Sequence, residues 1–299
     1  MIQKWKGEIA LLFAAFVWGL GFIGVKMALD FGMKPGFIVC VRFAIAALLL
    51  FAVFHKSIFH LTRSQLWKGG LAGLLLCLGY VLQTVAQNYT TPSSNAFITS
   101  SNVIMVPFLS ILFTGQRPPA KSFLCALLCF LGMVVLSYQG AQFSFNTGDV
   151  LTLCCALCFA AHIAYLAHVS PQEDAKNLTF VQMLAAGVFS LLYLLLFEEV
   201  SYTPQQLAAG IWPILFLGIF PTCAGFFLQT YGQKHLDSSS KAAIILSLEA
   251  AFGSVFSILL GYDPLTWNLI LGGLIILGSL FLSELNTKKL PLPPKAKAR

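Results

Sequence analysis

The sequence predicts an all-α integral membrane protein whose ten transmembrane helices form two inverted five-helix repeats. Three observations predict it. Of 299 residues, 58% are hydrophobic and only 10% charged, against about 25% charged in soluble domains. So few charges cannot clothe an exterior unless lipid is the solvent, which sets aside an extracellular, nucleic-acid-binding or cytosolic-enzyme reading. The apolar residues gather into ten stretches, each near the roughly 20 residues that cross a bilayer. Finally, motifs of the first half return in the second at a fixed offset.

The first stretch, Glu8–Leu29, follows Lys4 and Lys6 and runs through Trp18, Phe22 and Lys26 without a small-residue cleavage site, so it reads as a retained helix. The others follow as Phe37–Phe54, Gly69–Gln87, Ser94–Thr114, Lys121–Tyr138, Gly148–His168, Leu178–Phe197, Ala209–Tyr231, Ser238–Leu260 and Leu265–Glu284. The joints carry breakers and caps: Lys34-Pro35-Gly36, Thr91-Pro92, Arg117-Pro118-Pro119, Asn146-Thr147-Gly148, Thr203-Pro204, Asp237-Ser238 and Asp263-Pro264. The stretches are continuously apolar rather than alternating, so a β-barrel is excluded.

The net charge of +7 is a topology signal. With a cytoplasmic N-terminus, Lys4, Lys6, Lys56, Arg63, Lys68, Arg117, Lys121, Lys176, Lys234, Lys241 and the basic tail fall inside, while Lys34, with Lys26 near it, falls outside. Lys and Arg resist translocation, so both termini are expected to be cytoplasmic. The expected units are a first repeat over 1–140, a second over 146–286 and a disordered cytoplasmic tail over 287–299. The eight cysteines lie in apolar stretches, where they behave as small hydrophobes, and no metal site or cofactor is expected.

The repeat has an offset of 146. Leu82-Gln83-Thr84-x-x-Gln87 returns as Leu228-Gln229-Thr230-x-x-Gln233, and Ser93-Ser94-x-Ala96-x-Ile98 as Ser239-Ser240-x-Ala242-x-Ile244. Gly115-x-x-Pro118 maps onto Gly261-x-x-Pro264, and Gly7-Glu8 onto Gly148-Asp149 at a slightly smaller offset. Five spans is an odd number, so the second copy enters from the opposite face. Two such bundles can rock about a central site, which favours a transporter of a small molecule over a receptor or a membrane enzyme.

Trp18-Gly19-x-Gly21-Phe22-x-x-x-Lys26, Arg42-Phe43, Val106-Pro107 and Gly115-Gln116-Arg117-Pro118 together resemble the EamA family of the drug/metabolite transporters. The resemblance covers nearly the whole chain. The second copy departs from it, with Phe159-Ala160 where a Trp-Gly might stand and Tyr262-Asp263 in place of Gln116-Arg117. It implies a secondary carrier in the inner (plasma) membrane, commonly an exporter of amino acids or other small metabolites. An importer or exchanger of an adenosyl-type metabolite or an activated sugar is the alternative within transport. A nucleotide cargo would need several cavity cations, and only Arg42 and Lys26 lie within helices.

Ionisable groups within the hydrocarbon region are costly and default to functional candidates. Glu249, near the middle of the ninth stretch, is the carboxylate placed deepest. It can exchange a proton, making protons the coupling ion, or pair with a substrate amine. Arg42 and Lys26, toward the outer ends of their helices, read as structural or ion-pairing residues. Tyr80, Gln83 and Gln87 share one helical face, repeated by Phe226, Gln229 and Gln233, and serve either a cavity or interhelical contacts. Asn102 in the fourth stretch, His162 and Tyr165 in the sixth, and the aromatic pair Trp18 and Phe22 complete the expected cavity. Pro107 and Pro221 are expected to kink their helices. The expected assembly is a lipid-embedded monomer or weak homodimer.

Overall fold

The computed structural model describes residues 6–114, 120–136, 138–139, 142–143, 146–169, 173–235 and 239–284. The tail at 287–299 and the Arg117-Pro118 joint lie outside these residues. The described chain is helical apart from a two-residue strand pair, Tyr138–Gln139 with Gln142–Phe143, between the two halves.

Helices α1 (Lys6–Asp30), α2 (Pro35–Ile58) and α3 (Arg63–Ala86) are each long enough to cross a membrane. At 1.5 Å per residue, the 25 residues of α1 extend about 37 Å. The fourth stretch is divided into α4 (Pro92–Ser100), α5 (Asn102–Leu109) and α6 (Ile111–Thr114), and α7 (Ala120–Leu136) follows. The second half contains α8 (Thr147–Val169) and α9 (Ala175–Phe197), then α10 (Pro204–Leu217), a π-helical turn over Gly218–Ala224, and α11 (Gly225–His235). It ends with α12 (Ser239–Leu259) and α13 (Trp267–Glu284). Among the described residues, six helical spans are long and apolar enough to cross a membrane, with shorter apolar helices beside them. Side chains such as Leu196, Trp212, Leu259 and Trp267 are left exposed, as expected of a surface that meets lipid rather than water.

The fourth stretch was expected as one kinked helix, and local chemistry explains why it is divided. The Ser100 hydroxyl donates to Ala96 O at 3.0 Å and the Ser101 hydroxyl to Ile98 O at 2.7 Å. Such back-bonding competes with the helical ladder, and Pro107 removes a further donor.

The π turn has an equally local cause. Pro221 has no N–H for Leu217 O, and the Thr222 hydroxyl takes that carbonyl at 2.7 Å. The Gly225 N–H reaches back to Phe220 O, leaving Pro221 O for another partner. The indole N–H of Trp18 fills that role at 2.8 Å and fastens α1 to the turn.

Two helix pairs define how the halves meet. Along α2 and α9, Gly36 faces Tyr193 and Glu198, Gly187 faces Phe43, and Phe51 stacks near Phe180, so the pair runs antiparallel. Along α7 and α13, Leu136 lies at Gly272 and Gly132 at Ile276, again antiparallel. Elsewhere α1 packs on α10, α11 and α12, while α8 packs on α3, α4 and α5. The α1–α12 seat is backbone to backbone: a Cβ on Gly19 would lie 2.6 Å from Phe252 Cβ and 2.8 Å from Gly253 N.

Carboxylates fasten one end of the bundle. Glu198 accepts the Gly36 N–H at 2.9 and 3.0 Å, capping α2 from the end of α9. Asp263 accepts the Ser93 N–H at 3.1 Å and the Ser257 hydroxyl at 2.5 Å, capping α4. Asp149 accepts the Thr90 hydroxyl at 3.1 Å at the start of α8. Negative charge at helix N-termini is the favourable placement. At the opposite end, Glu173 accepts from Lys68 at 2.6 Å and Ser64 at 3.1 Å, tying α3 to the segment before α9.

Candidate functional site

A cavity lies where the two halves meet. The cavity draws on α1, α2, α3, the α4–α5 joint, α8, the π turn, α11 and α12. Of the expected residues, Trp18, Phe22, Tyr80, Gln83, Asn102, His162, Phe226, Gln229 and Glu249 line it together, and Arg42 joins them.

Two expected members lie elsewhere. Tyr165 is almost one turn along α8 from His162 and packs with Ala72, Leu166, Val169 and Leu178. Gln87 caps the C-terminal end of α3, one turn beyond Gln83, and lines a second, more polar pocket with Lys26, Thr90, Asp149 and Tyr262. The side chain of Gln233 lies outside those described. Lys26 pairs with Asp30 at 2.8 Å, one turn along α1.

The walls are aromatic. Trp18 and Phe226 have ring centroids 5.4 Å apart, and Tyr80 meets Phe159 edge to face at 5.1 Å. Gly79 leaves room for this, since a Cβ there would lie 2.4 Å from the Phe159 ring.

The polar groups divide into those bonded to other helices and those left for an occupant. Gln83 donates to the Thr99 hydroxyl at 3.2 Å, and Thr99 donates to Asn95 at 3.3 Å, so this amide joins α3 to α4. His162 Nε2 lies 3.0 Å from Gln182 Oε1 on α9, a pairing that makes Nε2 the protonated nitrogen when the amide oxygen faces it. Gln229, by contrast, is 3% exposed and its Oε1 has no hydrogen-bond partner among the described residues. Buried polar atoms are normally satisfied, so each exception asks for an explanation.

Arg42 was expected toward the outer end of α2 as a structural or ion-pairing residue. It is 2% exposed and no carboxylate lies within ion-pairing distance among the described residues. Its Nε donates to the Thr222 hydroxyl at 2.8 Å, and its guanidinium lies 4.5 Å over the Tyr80 ring. Glu249 lines the cavity from α12, with Ser100 of the α4–α5 joint within hydrogen-bonding reach. Tyr80 is within electrostatic range of both charges. The residues that sequence reasoning missed include Thr222 and Gln182. Neither has a charge or motif to mark it, and only the fold brings them to this place.

The model of the EamA-like transporter family matches residues 5–138 and again 146–285. The chain belongs to the EamA-like transporter family. It is similar to an uncharacterized transporter of Archaeoglobus fulgidus, 33% identical over 281 residues that cover 92% of this chain and 85% of that one. An uncharacterized transporter of Bacillus subtilis is 27% identical over 96% of this chain and 93% of its own. A crystal structure aligned over 93% of this chain and 96% of its own, at TM-score 0.67 and 17% identity, has the same fold. The EamA-like chain is thus a multi-pass membrane protein whose named relatives are transporters.

Proposed function

We propose that this protein is a secondary active transporter that exports amino acids or related small amphipathic metabolites across the inner (plasma) membrane. The carrying observation is the cavity between the halves, with aromatic walls and a small set of polar groups that includes one acid and one base. Residues 1–140 and 146–286 act as inverted five-helix repeats that rock about it and expose it alternately to each side. Support for the inversion comes from the antiparallel packing of α2 on α9 and of α7 on α13, pairs whose members stand in matching places in the two copies. The Lys/Arg distribution supports cytoplasmic termini and, with them, an outward-facing carboxylate-capped end.

Glu249 is the coupling group. The Ser100 hydroxyl is directed to Ala96 O, so a protonated Glu249 can donate to the Ser100 oxygen, and the ionised form can be balanced by a cationic amine. Among the described residues, Tyr80, Arg42, His162 and Cys155 are the other titratable groups near it. Purified protein in vesicles, tested against a metabolite panel with an imposed pH gradient, decides the matter. Wild-type flux should follow the gradient, and Glu249→Gln should retain only gradient-independent exchange. A Glu249→Gln protein with normal gradient-driven flux would overturn the coupling role.

A further inference from the structure

We propose that Arg42 is the carboxylate seat of the cavity, and that the cargo binds with an anionic carboxylate against its guanidinium. The inference rests on the transporter reading and adds the orientation of the cargo within it.

A buried guanidinium without an anion is expensive, because the charge has lost water and gained no counter-charge. Arg42 is in that position. Thr222 and the Tyr80 ring are its partners, and neither carries negative charge when the phenol is protonated. Nε is used by Thr222, so the two terminal nitrogens remain as a parallel pair of donors. That edge matches the two oxygens of a carboxylate in bidentate geometry. A phosphate dianion fits less well, since among the described residues no second Lys or Arg lines the cavity and Glu249 stands in the same space. Gln229 Oε1 adds an independent sign of a polar occupant, being a buried acceptor in the cavity without a donor. An ammonium group offers donors to both Gln229 and Glu249, so a zwitterion has a place for each end.

The seat is also wired to the jointed helix. Thr222 holds Arg42 Nε with its oxygen lone pair while giving its proton to Leu217 O, the carbonyl that Pro221 leaves without an N–H. A carboxylate on Arg42 therefore bears on the residue that stabilises the π turn.

Thermal stabilisation of the detergent-purified full chain tests the assignment, using the twenty amino acids, each with its carboxamide and its decarboxylated amine. Those amino acids that stabilise the wild type should lose about 10-fold to 100-fold in apparent affinity when the carboxylate becomes an amide or is absent. Arg42→Gln should bind acid and amide alike. Should Arg42→Gln fail to fold, Arg42→Lys keeps the charge without the fork and should show a reduced acid-to-amide preference. Amides or amines that bind as well as the acids, no binding by any acid, or an undiminished preference in both variants would overturn the proposal. Vesicle flux separates this failure from failure of the transporter reading: carboxylate-blind binding with intact flux removes only Arg42, and absence of flux for every solute removes the transporter itself.

Discussion

The third helix of the first half and its counterpart 146 residues later have the same register but different backbones. Arg63–Ala86 is one uninterrupted helix, whereas 209–232 is broken by the π turn. The residue opposite Leu75 is Pro221, and that exchange accounts for the lost N–H. The fourth helices reverse the arrangement. The first half is divided at Ser101 and contains Pro107, while α12 runs unbroken with Gly253 at the matching place. Each half therefore gives the cavity one stiff helix and one jointed helix, in opposite order. The polar machinery sits across these partners: Arg42 on Thr222 of one joint, Glu249 of the stiff α12 beside Ser100 of the other.

The seat of α12 is the most sensitive point of that arrangement. Gly19 and Gly253 let α1 and α12 touch backbone to backbone, and the corresponding pair in the other half is Ala160 and Pro107. Gly19→Ala places a methyl 2.6 Å from Phe252 Cβ, which the helices can accept only by separating. The expected loss is about 1–3 kcal/mol, the usual cost of overpacking, measured as a lowered melting temperature and reduced flux. An unchanged melting temperature would mean that the seat is looser than the contact implies.

Next in size is the clamp on the π turn. Trp18→Phe keeps the ring against Phe226 but removes the N–H from Pro221 O. Leaving a buried carbonyl without a donor costs about 1–3 kcal/mol. Faster amide exchange should be confined to the 217–225 region rather than spread over α3. Pro221→Ala acts in the opposite sense, restoring the donor for Leu217 O and making this helix more like its unbroken counterpart. Slower exchange there together with slower transport is expected, and faster or equal transport would argue that the joint does not move.

Much of this contrast was legible in the sequence and some of it was not. Spans, repeat offset and the exceptional Glu249 follow from composition and spacing, because lipid imposes a simple rule on every residue. Pro221 announced a kink, but the π register depends on Thr222 and Trp18 fitting two particular carbonyls. The two glutamines matched by the repeat looked equivalent, yet Gln83 is consumed by Thr99 while Gln229 keeps an unpartnered oxygen. Thr99 and Asn95 correspond to Ile245 and Lys241 in the other half, so the network has no counterpart there. The partners of Arg42, Thr222 and Tyr80, were not legible, because position along a helix does not say which neighbour a long side chain meets. Tyr165 was misplaced because shared helical side and shared depth are different conditions.

The smallest expected effect lies at the end of the molecule away from the carboxylate caps, and it tests whether that end is held by charge. Burial alone would raise the Glu173 carboxyl, but Lys68 and Ser64 outweigh it and hold the group below its ordinary value of 4.5. A depressed folded value stabilises the fold above the unfolded carboxylate range, near 4.3, and the contribution disappears as pH falls through the folded value. Glu173→Gln should therefore lower stability by less than about 1 kcal/mol at neutral pH, since Lys68 is partly exposed and the pair lies at the end of the bundle, where it is screened. The difference from wild type should stay constant from about pH 7 to pH 5 and close at lower pH. It should also shrink in high salt, as a partly exposed pair must. A difference that grows as pH falls would have the wrong sign for a charge pair, and would assign the hold on this end to packing between α3 and α9 instead.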